Sequence, residues 1–117
     1  MSNHKIGRIN AELVRVISET LMLESTDELM KSVTITGADV ASDLSFAKVY
    51  FTSLSDLSHE QLEKEMNEAS DFVRKFVAEK MDLRQTPKLK FLYDESIEYG
   101  NKIEKIIFSI HEKDNAS

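Results

Sequence analysis

The chain is expected to form one α+β domain, a three-stranded mixed sheet with helices on one face. Three observations lead there. Residues Val33–Val40, Phe46–Ser53 and Lys88–Tyr93 alternate or carry β-branched side chains, the signature of strands with one buried face. Only five residues separate the first two runs, so they form an antiparallel hairpin. Helical spacing fills the stretch before the third run. That strand therefore returns by a right-handed crossover, parallel to the second, in sheet order 1-2-3. A length of 117 residues supports one hydrophobic core and not two.

Taken in order, Ile6 to Leu23 carries Ile6, Ile9, Leu13, Val16, Ile17 and Leu21, the apolar stripe of a helix. Arg8 and Arg15 sit opposite that stripe, each four residues before a glutamate, Glu12 and Glu19. This spacing reads as an exposed charge ladder or as two phosphate contacts. Glu24–Ser32 is polar and reads as a connection. Gly37 inside the first strand suggests a bulge or bend. The turn Ala41–Ser45 leads into the second strand, where Ala47, Val49 and Phe51 alternate with Lys48, Tyr50 and Thr52.

Ser58 stands three residues before Gln61, a capping pair that opens the next helix. Its apolar stripe runs through Leu62, Met66, Ala69, Val73 and Phe76. Carried on straight, that stripe places Lys80 at its centre. Either the lysine snorkels at the helix end or the helix turns before it, with Ser70 and Asp71 as the weak point. Pro87 lacks an N–H and biases Thr86 away from helical geometry, so this helix is expected to end near Arg84. Leu89, Phe91 and Tyr93 form the buried face of the third strand. Ser96 is placed to cap a last helix, Ile97–Ile110, and 111–117 reads as a polar flexible tail after a domain spanning 1–110.

The composition excludes several classes. There is no cysteine, hence no disulfide framework or thiolate metal site. No secretory signal opens the chain and no apolar run is long enough to span a bilayer, so a cytoplasmic location is expected. His4, His59 and His111 are scattered without a second ligand at metal-binding spacing. Neither phosphate-cradling glycine motif occurs. Asp94, Glu95 and Glu98 cluster near a turn, where a helix dipole explains them as well as acid–base chemistry does. A non-enzyme without cofactor or metal is the expectation. Phe46, Phe51, Phe72, Phe76, Phe91, Tyr93 and Phe108 are read mostly as core. Tyr50 shares the outer face with Lys48, either as a partly covered sheet residue or as a platform for a base.

The formal charge of −6 hides an asymmetry. Asp56–Glu68 holds five acidic side chains against Lys64, whereas Arg74–Lys90 holds six basic ones against Glu79 and Asp82, a net of four positive charges.

Asp43-Leu44-Ser45-x-Ala47-Lys48-Val49-Tyr50, then Phe72-Val73-Arg74, then Leu83-Arg84-x-x-Pro87-x-Leu89-x-Phe91-x-x-Asp94-x-Ser96 resemble the signatures of the ribosome-binding factor A family. Arg8 and the helix from Ile9 are similar to that family's opening helix, so the resemblance covers about residues 6–110. It implies a type II KH-like fold, α-β-β-α(kink)α-β with a C-terminal helix. It also implies a monomeric, non-catalytic, cytoplasmic factor that binds 16S rRNA on the free 30S subunit and assists late maturation and rRNA processing. Neither 70S ribosomes nor polysomes, a membrane, or a small-molecule substrate are implied as partners. Many KH domains clamp nucleic acid with a GXXG loop; none exists here. The family has a kink built on Ala-x-Gly, where this chain reads Ala69-Ser70-Asp71, keeping the alanine and replacing the glycine. Asp71 is expected to cap the second half-helix instead.

With the resemblance, the basic segment becomes a candidate RNA face: Lys5, Arg8, Arg74, Lys75, Lys80, Arg84, Lys88 and Lys90. Arg84 has alternative partners in Asp94 or a helix C-terminus. The competing reading is an acidic α+β protein–protein interaction module without direct RNA contact.

Overall fold

The computed structural model describes residues 3–96, in the order α1 Asn3–Leu23, α2 Glu28–Lys31, β1 Val33–Val40, β2 Phe46–Ser53, α3 His59–Glu68, α4 Ser70–Lys80 and β3 Lys88–Tyr93. The expected helix Ile97–Ile110 and tail 111–117 lie outside the described residues. The sheet order is β1-β2-β3, with β2 antiparallel to β1 and parallel to β3. The strand order and directions follow the expected plan and agree with the type II KH-like order. The bulge also falls as expected, its register shifting between Ile35 and Gly37.

The helices cover one face of the sheet. Leu13, Val16, Ile17 and Leu21 of α1 share a core with Ile35, Val40, Ala47, Val49, Phe51, Leu89 and Phe91 from the strands. Phe51 and Phe91 are fully buried and meet edge to face, with ring centroids 6.4 Å apart. Burial of each ring stabilises the fold by about 1.5–3 kcal/mol. Leu44 in the hairpin turn is the sole non-glycine residue of positive φ (63°) among the described residues. That conformation costs about 1–2 kcal/mol, which burial of its side chain to 6% exposure offsets.

Four local features differ from the sequence expectation. Glu24–Ser32 is not purely a connection: Asp27 accepts from the Leu29 N–H at 2.9 Å and caps the single turn of α2. Helix α4 stops at Lys80, earlier than Arg84, because Met81 swings to extended geometry (φ −114°, ψ 138°) and buries its side chain. The helical turn after β3 begins at Glu95 and is capped by Asp94, which accepts from the Ser96 N–H at 3.0 Å. Ser96 is thus a donor to the cap and not the cap itself.

The fourth difference concerns the kink, which forms where expected but by other means. Ala69 sits at φ −91°, ψ 0°, and its N–H bonds Met66 O at 3.1 Å, three residues back. No positive φ is involved, so a residue with a β-carbon is accommodated without strain. Asp71 makes no capping bond; it occupies the first turn of α4, where its charge suits the helix dipole. Beyond the kink the buried stripe continues through Val73, Val77 and Met81 and bypasses Phe76. Phe72 is 39% exposed and packs on half-buried Phe76 at 5.2 Å, while Lys80 lies with Nζ 5.7 Å from the Phe76 ring centre. The lysine therefore neither occupies the stripe nor needs to snorkel.

Candidate nucleic-acid interface

Strand directions decide where the charges go. The ends of β1 and the starts of β2 and β3 lie together, since Val40 pairs with Ala47 and Phe46 with Lys88. Helix α1 begins at this same end, fixed by Asn10, whose Oδ1 accepts from the Val40 N–H at 2.8 Å. Helix α4 runs toward it and delivers the 81–87 segment there. Lys5 and Arg84 line one cleft of about 260 Å³ at this end, with Ile6, Ile9, Leu44 and Asp82. Arg74 and Lys75 line a more open groove of about 450 Å³ with Asp71 and Thr86. The segment from Asp82 to Thr86 contributes to both.

Each candidate cation has a distinct setting. Lys5 and Arg8 are exposed on the first turns of α1. Among the described residues Arg8 forms no ion pair, whereas Arg15 is held by Glu19 at 3.2 Å and Glu12 at 3.8 Å. The charge-ladder reading therefore describes Arg15 and leaves Arg8 available. Arg74 is half-buried: Nε donates to Pro87 O at 3.2 Å and Nη2 to Thr86 O at 2.8 Å. It braces the loop that presents Arg84, and neither bond uses its Nη1. Lys75 and Lys80 are exposed on α4.

Arg84 is exposed and lies on the side of Asp43, whose carboxyl is held below the usual range chiefly by hydrogen bonds from Ser45, with a smaller contribution from Arg84. The alternative partner Asp94 is excluded, because it lies at the far end of β3 and accepts from Thr36 Oγ1 at 2.5 Å and from the Ser96 hydroxyl. Those bonds hold the Asp94 carboxyl below its ordinary value, Ser96 contributing most.

Lys88 and Lys90 part company with the others. Both are exposed, and alternation with buried Leu89 and Phe91 turns them to the sheet face away from the helices. The basic segment is thus divided between two surfaces at Pro87. Lys48 joins this second surface opposite Lys90, as does Phe46, which is 45% exposed and not core. Its signal was present in the sequence: Phe46 falls out of phase with Ala47, Val49 and Phe51.

The opposite end is acidic. There the start of α3 meets the end of β3, with His59 stacked on Tyr93 at 3.7 Å and its Nδ1 3.4 Å from Glu95. Glu63 Oε2 accepts from the Tyr93 N–H at 2.8 Å. Asn67, unremarkable in the sequence, bonds both Phe91 N (2.8 Å) and Phe91 O (2.9 Å). These two α3 side chains occupy the outer edge of β3, so that edge is closed to strand addition. The charge asymmetry of the sequence has become an axial one.

Among the described residues no group of His, Cys, Asp and Glu is arranged to hold a metal ion, and no helix is long and apolar enough to cross a membrane.

Comparison with known proteins gives a consistent answer. Residues 5–107 match the family model described as ribosome-binding factor A. A ribosome-binding factor A from Streptococcus mutans is 35% identical over 97% of this chain and 99% of its own length. One from Francisella tularensis subsp. novicida is 37% identical over 95% of this chain and 78% of its own. The crystal structure of ribosome-binding factor A from Thermus thermophilus superposes with a TM-score of 0.67 at 20% identity, covering 75% of this chain and 94% of that one. A Thermus thermophilus homology model fitted into the cryo-EM map of a 30S complex with ribosome-binding factor A gives 0.59 at 20% identity, over 74% and 91%. The structural likenesses establish the shared fold; the sequence matches, nearly full length, establish that this chain belongs to the ribosome-binding factor A family.

Proposed function

We propose that this protein associates with the free 30S subunit by binding 16S rRNA and assists late subunit maturation and rRNA processing as a non-catalytic, monomeric, cytoplasmic factor without a cofactor. The observation that carries this reading is the basic end, where Lys5, Arg74, Lys75 and Arg84 line two hollows built from three chain segments, with Arg8 and Lys80 exposed on the same two helices, on a chain of net charge −6. A polyanion with correctly placed phosphates meets a concentration of cations there, while the acidic end disfavours loose adsorption. The placement of the Thermus thermophilus relative in a 30S complex supports the choice of subunit.

The test is sedimentation of the purified protein with mature 30S, immature 30S and 70S particles at low and moderate salt. Salt-sensitive co-sedimentation with 30S and not with 70S is expected. A folded protein that binds no ribosomal particle overturns the reading. A second reading, a protein-interaction module, draws on Leu54 (94% exposed) and Leu57 (40% exposed) flanking Asp56 at the acidic end. Target binding that ignores salt favours that module.

A further inference from the structure

The sheet face turned away from the helices is built by alternate residues of the three strands. Lys48 pairs with Asp39 on one side and Lys90 on the other; Tyr50 pairs with Gly37 and Leu92; Phe46 pairs with Lys88. No described element packs over these residues. Like charges directly opposite one another across neighbouring strands are destabilising, yet Lys48 faces Lys90, with Lys88 two residues away. Among the described residues none of the three lysines forms an ion pair. Asp39 is the sole carboxylate at the paired positions of this face; it lies opposite Lys48, and Lys88 and Lys90 on β3 have none beside them. Such a cluster leaves positive charge on this face that a polyanion would neutralise.

The aromatics narrow the choice of polyanion. Phe46 and half-buried Tyr50 flank Lys48 on the same face of β2. Gly37 leaves the β1 side of Tyr50 open: a β-carbon built there would meet nothing within 4 Å. The position paired with Tyr50 thus carries no side chain and leaves open space above the β1 backbone. Planar groups stack on such a ring, and alternation of stacking platforms with cations is how proteins hold single strands.

We propose that this sheet face binds a single-stranded nucleic acid, with one base stacked on Tyr50 above Gly37, another against Phe46, and phosphates on Lys48, Lys88 and Lys90. It is a second surface, separate from the basic end formed by α1, α4 and the 81–87 segment. It does not rest on the ribosomal reading, because any unpaired strand supplies the same chemistry.

The experiment is fluorescence anisotropy on the full chain with a labelled oligoadenylate of about eight nucleotides and an abasic phosphodiester oligomer of equal charge. The oligoadenylate is expected to bind at least about fivefold more tightly than the abasic strand, with Tyr50→Leu lowering that preference and Tyr50→Leu with Phe46→Leu abolishing it. Lys48→Gln with Lys90→Gln, at exposed positions where folding is not at risk, should lower the salt slope by about 1.4. Lys5→Gln with Arg84→Gln should leave the base preference intact, which separates this face from the basic end. Equal affinity for the two strands, or an unchanged slope in the double lysine variant, overturns the proposal. Polyglutamate displacing the oligoadenylate at matched charge also overturns it, in favour of an acidic protein partner.

Discussion

Asn67 offers the sharpest test of how the kinked helix pair is held on the sheet. Its amide accepts from the Phe91 N–H at 2.8 Å and donates to Phe91 O at 2.9 Å, and to Glu63 O at 2.8 Å. Phe91 is fully buried, so truncation to Asn67→Ala strands a backbone donor and acceptor on the outer edge of β3. An unsatisfied buried polar group costs about 1–3 kcal/mol. Two such groups, less about 0.5 kcal/mol regained from the better helix propensity of alanine, give an expected loss of roughly 1.5–5.5 kcal/mol. That is a large share of the roughly 5–15 kcal/mol typical of a domain. Urea unfolding should show a lower midpoint at unchanged m, and hydrogen exchange should show early loss of protection at the Phe91 amide. Asn67→Asp keeps the acceptor and loses the donor, setting a carboxylate against Phe91 O, so it should be destabilised at neutral pH despite its similar shape. A loss below about 1 kcal/mol for Asn67→Ala, or unaltered Phe91 protection, would refute the idea that this one side chain fastens the end of α3 to β3.

The other expectations concern charge and core. Lys5→Gln with Arg84→Gln should leave the urea midpoint in place and weaken 30S co-sedimentation, lowering the salt slope by about 1–2; an unchanged slope removes the basic end from the interface. Reversing Lys88 and Lys90 to glutamate should likewise spare folding but weaken oligoadenylate binding and flatten its salt dependence, and no change in either would take both lysines off the bound strand. Leu13→Ala, at a fully buried position of α1, should cost about 2–5 kcal/mol in chemical unfolding. Asp94 has a lowered folded pKa, so the stability it contributes is complete above its unfolded value near 3.9 and is lost as pH falls through the lower folded value. Wild type should therefore lose more stability than Asp94→Asn between about pH 4 and pH 2, measured by thermal unfolding; identical acid limbs would exclude the Thr36 and Ser96 bonds as the cause.

Much of this protein is legible from the order of its residues. Period-two alternation, a five-residue turn and one proline suffice for the strands, their directions and the sheet order, because local sterics and burial of one face leave few other solutions. The kink was legible too, as a weak pair of helix formers within an apolar stripe. Periodicity did not reveal its phase: Phe76 and Val77 are both apolar neighbours, and only packing against the core selects Val77 and Met81 and leaves Phe76 to cover Lys80. Nor does a linear charge count know about faces. Arg74 to Lys90 is a single basic run in the chain, but Pro87 carries it from the helical layer into a strand whose side chains alternate across the sheet. Tertiary structure therefore gives Arg84 to the end shared with Lys5, commits two of Arg74's donors to carbonyls, and sends Lys88 and Lys90 to the opposite face beside Lys48. Side-chain periodicity is a property of one segment, whereas a binding surface is made by segments that meet only after the chain has folded.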